Sequence, residues 1–206
     1  MSHLVIGLGL IALLAAPAVA HHVGAYVPRD NEISANFKQL KFAMQDHKFE
    51  VAARLYDTGA LREQLRSQAK RLPSGLDDSI RTALRAGDGA EAERGLMVFF
   101  AGLSRDLAVE ADRRLGAAEL APSARAAVSR KFLEAIWRYY NLVDFAVSQR
   151  HPNVAAAVRL AADDAEGFAK GAKPVAAERL REPFRRIAQA LTSVIEAASS
   201  SARRHS

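Results

Sequence analysis

The sequence predicts an all-α fold, an antiparallel helical bundle of about six to seven helices built from helical hairpins. Three observations carry that expectation. Apolar residues recur at helical spacing through most of the chain after residue 31. The patterned segments are separated by short breaks rich in Gly, Pro, Asn and Asp, and short connections make consecutive helices antiparallel neighbours. No segment alternates apolar and polar residues as a half-buried strand does.

The elements follow in order. Residues 21–30 read as an extended lead-in, because Val27 precedes Pro28 and is biased away from helix. Asp30 or Asn31 then caps a first helix over 31–46, where Ile33, Phe37, Leu40 and Met44 form one stripe. Asn36 lies near that stripe and calls for a specific internal polar contact. Asp46-His47-Lys48 reads as a break, followed by a second helix over 49–72 that Gly59 is placed to interrupt. After the turn Leu72-Pro73-Ser74-Gly75, residues Leu76, Ile80 and Leu84 mark a third helix, closed by Ala86-Gly87-Asp88-Gly89.

The fourth helix is expected over 91–115, with Leu96, Phe99, Phe100, Leu103 and Leu107 on its apolar face. The fifth opens at Pro122 and reaches residue 149; its aromatic run Trp137, Tyr139 and Tyr140 suggests that it is central to the bundle. His151-Pro152-Asn153 starts the sixth, to residue 170. Lys173-Pro174 opens the seventh, to residue 200, and Pro183 is expected to kink or split it. A single domain over 31–200 and a frayed tail over 201–206 complete the reading. Residues 42–55 echo residues 145–160, each a helix, a His-bearing turn and an Ala-rich helix, and 83–96 has the same outline without the His. The period is not constant, so repeated hairpin geometry rather than a solenoid is the reading.

Residues 1–20 read as a secretory signal peptide. They hold no Asp, Glu, Lys or Arg, their apolar run from Leu4 to Ala16 is shorter than the roughly 20 residues a membrane span needs, and they end in Ala18-Val19-Ala20. Because no Lys or Arg precedes the apolar run, an uncleaved anchor is the alternative. Cleavage predicts a periplasmic or secreted protein with no stable membrane insertion. The chain has no Cys, which excludes a disulfide framework, a lipidated cysteine and Cys-x-x-Cys-His haem attachment. The net charge of +6 invites a nucleic-acid reading, but the bases are interleaved with acids along the helices and form no stripe. Nucleophilic catalysis has no support, since there is neither Gly-x-Ser-x-Gly nor a Gly-rich phosphate loop. The expectation is therefore a protein that is not an enzyme.

Two constellations remain. Cleavage before His21 places a free α-amine beside an imidazole, with His22 next, a nitrogen set suited to copper or another divalent transition-metal ion. His47 and His151, both in turns between helices, are the candidates to complete that site, and Glu50 stands one turn after His47. A loose, solvated N-terminus is the competing reading. The second constellation is a polar cluster of Glu110 and Arg114 on the fourth helix with Glu134, Arg138 and Asp144 on the fifth. It reads either as inward-facing carboxylates for a cation or as the intrahelical ion pairs Glu110–Arg114 and Glu134–Arg138. Two functions follow: an exported metal-handling or metal-transport accessory protein, or a non-catalytic helical interaction module for an envelope transporter or receptor. The second expects an exposed aromatic patch near Tyr139, Tyr140 and Phe145.

Overall fold

The computed structural model describes residues 29–171 and 175–204. The expected signal peptide, His21, His22, the lead-in to residue 28 and the end of the tail lie outside the described residues. Among the described residues there are eight α-helices, one short 3-10 helix and no strand. The helices are α1 (Glu32–Gln45), α2 (Phe49–Thr58), α3 (Ala60–Ser67), α4 (Leu76–Ala86), α5 (Gly89–Leu115), α6 (Pro122–Arg150), α7 (Pro152–Lys170) and α8 (Ala177–Arg204). None is long and apolar enough to cross a membrane.

Local chemistry sets the boundaries. Asn31 caps α1: its side chain accepts from the Ser34 amide at 3.0 Å, and the Ser34 hydroxyl accepts from the Asn31 amide at 2.9 Å, so each residue's orphan amide is satisfied by the other's side-chain oxygen. The break at His47 is a Schellman turn. The Lys48 amide donates to the Ala43 carbonyl and the His47 amide to Met44, with His47 itself left-handed at φ 56°. The α4–α5 turn repeats this pattern, with Gly87 at φ 73° and the Asp88 amide donating to Ala83. The echo between 42–55 and 83–96 is thus a shared way of ending a helix. The α6–α7 turn at His151 is different: His151 has φ −140° and serves as C-cap of one helix and N-cap of the next.

The second expected helix is divided at Gly59 into α2 and α3, and the clamp is Asn36. Its Nδ2 donates to the Leu55 carbonyl at 3.1 Å and its Oδ1 accepts from the Leu61 amide at 3.1 Å. One buried amide therefore serves the loose carbonyl at the end of α2 and the loose N–H at the start of α3. Pro183 does not split the last helix. It lies buried in the second turn of α8, where the carbonyl deprived of a partner belongs to Arg179, an exposed residue near the helix start.

The central helix is α5, not α6. All ten residues from Gly95 to Ser104 are buried. That run contains no charged residue, the mark of a helix covered on every side. Helices α6, α7 and α8 complete a long antiparallel bundle with α5, α4 packs on α5 from the other side, and α1, packed mainly on α2 and α3, reaches α5 through side chains. Phe37 of α1 meets Phe100 edge to face at 4.8 Å, Lys41 pairs with Glu93 at 3.5 Å, and Met44 lies against Gly89. Helix α1 therefore runs antiparallel to α5, and its C-terminal turn sits beside the start of α5. Close approach on the other faces requires small residues: a Cβ on Gly95 would fall 2.5 Å from Ile80, and one on Gly102 would fall 2.6 Å from Leu72.

Candidate functional site

The C-terminal half of α5 and the N-terminal half of α6 enclose an open groove of about 580 Å³. Its floor is apolar, with Leu107 from α5 and Val128, Phe132 and Ala135 from α6; Leu120 closes the end. Its rim is charged, with Glu110 and Arg114 on one side and Lys131 on the other. Two residues of the predicted polar cluster are thus brought to one cleft, but neither turns inward. Glu110 accepts from Arg114 at 2.9 Å, as the ion-pair reading expects, and also from Arg113 at 2.6 Å and 2.7 Å. Hydrogen bonds from Arg113, then from Arg114, hold its carboxyl down at about 2. A carboxylate so occupied has little capacity left for a cation.

The other members of the cluster sit elsewhere on α6. Glu134 and Arg138 approach to 3.9 Å, a loose pair. Asp144 turns toward α7 and accepts from Arg159 Nε at 3.1 Å, while Arg159 Nη2 also donates to the Ser148 hydroxyl at 2.8 Å. The hydroxyl of buried Tyr140 lies near this carboxylate without a regular hydrogen bond, and burial, then the Asp144 charge, push it well up. Tyr140 is fully buried and cannot belong to a surface patch. Tyr139 is half-buried, and its hydroxyl accepts from Asn31 Nδ2 at 2.7 Å, tying the start of α1 to α6.

His47 is exposed and His151 half-buried. Since α1 and α6 both run antiparallel to α5, the two turns that carry these residues lie at the same end of the bundle. Among the described residues, no group of three or more His, Asp or Glu side chains is arranged to hold a metal. That end carries something else. Phe42, three residues before the end of α1, is 68 % exposed, and Phe145, five before the end of α6, is 71 % exposed. Val51 near the start of α2 and Leu160 in the first half of α7 are also exposed.

The most heavily hydrogen-bonded cluster was not legible in the sequence. Asp77 of α4 accepts from Tyr56 at 2.9 Å and from Arg62 Nε at 2.8 Å and Nη2 at 3.1 Å, while Arg62 Nη1 reaches Asp57 at 2.8 Å. Arg62 is 8 % exposed, and Asp57 also receives Arg81 and Arg85. Burial alone would raise the Asp77 carboxyl; hydrogen bonds from Arg62 and Tyr56 outweigh it and leave the group below its ordinary value. Every charge here is paired, so the cluster reads as a joint between α2, α3 and α4 rather than as a reactive site.

Comparison with protein-family models, with curated proteins and with solved structures finds no match.

Proposed function

We propose that this chain is an exported, non-catalytic helical interaction module that engages a protein partner of the cell envelope through the end of the bundle bearing the His47 and His151 turns. One observation carries the reading: Phe42 and Phe145 stand out in solvent, two thirds or more exposed, on helices whose C-termini reach the same end. A large exposed apolar surface on an otherwise well-packed domain marks an interaction site, and each phenylalanine buried against a partner contributes about 2 kcal/mol. The sequence features of export supply the compartment in which the partner is sought.

The test is affinity capture from envelope extract with the wild-type chain and with Phe42→Ser/Phe145→Ser. Both positions are exposed, so the variant keeps its helicity and melting temperature. Loss of a partner that wild type retains supports the reading, and capture of the same proteins in the same amounts overturns it. Light scattering adds a second outcome: a wild-type dimer that the variant loses would reassign the surface to self-association.

A further inference from the structure

We propose that the α5/α6 groove binds a long-chain monocarboxylate, with an aliphatic tail along its floor and one acid head at Lys131. The volume of about 580 Å³ falls in the range of small-molecule sites, roughly 300–1,000 Å³. A protein partner fits less well. A stable protein interface takes about 800 Å² from each side. The lining stretches, 107–114 of α5 and 128–135 of α6, are each only about 10 Å long.

The floor selects the tail. Leu107, Leu120, Val128, Phe132 and Ala135 offer hydrocarbon and no side-chain hydrogen-bond partner. A ligand with polar atoms along its body would strand them there, and an aliphatic chain has none to strand. The rim selects the head. Glu110 is held by Arg113 and Arg114, and Arg113 feels the charge of Glu119 besides that of Glu110. Both carboxylates at the mouth are thus answered by arginine. Exposed Lys131 is the cation left over: among the described residues it has no ion-pair partner. Counting Arg113, three cations face two carboxylates at the mouth, so one negative charge on the ligand balances the site. The groove lies toward the opposite end of α5 and α6 from the His47 and His151 turns. An occupant therefore leaves Phe42 and Phe145 free, and this binding and the proposed protein interaction fail separately.

The test is isothermal titration calorimetry of the full chain, purified without detergent, with hexanoate, octanoate and decanoate below their micelle concentrations. Each methylene fully buried is worth up to about fourfold in affinity, so in an open groove decanoate should bind once per chain and at least about tenfold more tightly than hexanoate. Lys131→Glu, at an exposed position that preserves the fold, should weaken decanoate about tenfold and strengthen decyltrimethylammonium. Val109→Ser removes a 54 % exposed apolar side chain of α5 that does not line the groove, and should bind decanoate as wild type does. Absence of saturable decanoate binding, one affinity across the three chain lengths, a wild-type preference for decyltrimethylammonium, unaltered decanoate binding by Lys131→Glu, or its loss in Val109→Ser would each overturn the proposal. Light scattering adds another such outcome: a wild-type dimer that Lys131→Glu abolishes would give the groove to a second copy of the chain. Circular dichroism of both variants verifies that the fold is intact.

Discussion

Asn36 and Gly59 are coupled, and the coupling can be measured. The Asn36 amide makes two hydrogen bonds across the α2–α3 break, and a Cβ added to Gly59 would fall 2.1 Å from Asn36 Oδ1 and 2.4 Å from the Leu55 carbonyl. Gly59 has φ −95°, open to any residue, so glycine is required there by space and not by backbone angle. Asn36→Ala leaves the Leu55 carbonyl and the Leu61 amide without their partner. At roughly 1–3 kcal/mol for each buried group so stranded, the loss is about 3 kcal/mol. Gly59→Ala alone costs about 1–3 kcal/mol of overpacking. In the Asn36→Ala background the 2.1 Å collision is gone and only the carbonyl contact remains. The double variant should therefore be more stable than the sum of the single losses by about 1 kcal/mol or more. Urea unfolding followed by circular dichroism supplies the four stabilities. Additivity to within about 0.5 kcal/mol would refute the clamp as the reason for glycine at 59.

Three further outcomes follow. His47→Gly relieves a left-handed conformation that a side chain disfavours by about 1 kcal/mol, so calorimetry should show a melting temperature higher by roughly 2–4 °C; an unchanged or lower value would mean that the ring contact with Phe49 outweighs the strain. The Asp77 carboxyl is depressed in the folded chain, so its contribution is complete above its ordinary value near 3.8 and is lost as pH falls below that. Asp77→Asn should therefore lower stability near neutrality and flatten its decline on acidification, as read from urea midpoints across pH; an unaltered acid limb would show that the carboxylate is not linked to folding. The interaction reading also expects no tight Cu(II) on the purified mature chain by native mass spectrometry. One retained ion, lost on extending the chain before His21, would instead assign metal handling to His21 and His22.

Most helix positions were legible because turn chemistry is local. Pro122, Pro152, Gly87 and the His47 break fall where the residue types place them, and the internal role of Asn36 could be read from a polar residue beside an apolar stripe. The intrahelical pairs Glu110–Arg114 and Glu134–Arg138 were also visible, since spacing alone brings such residues within reach. What failed depends on other elements. The aromatic run of α6 suggested a central helix, yet the charge-free run on α5 was the better signal, because covering a helix on all sides excludes charge while aromatics also suit a half-covered face. The groove and the Asp77 cluster join residues of separate helices, Arg62 and Asp77 among them, and no periodicity reports which faces will meet.

The fully enclosed stretch of α5, Gly95–Ser104, has a consequence for how the molecule comes apart. Helix α4, with side chains of α1, covers one flank of the stretch Gly95–Ser104 and α6 and α8 the other, so removing either group would strip one side of that apolar stretch. Neither group can therefore keep that stretch dry on its own. Unfolding should be a single cooperative event, and fragments divided at the loop before Pro122 should regain helicity only when mixed.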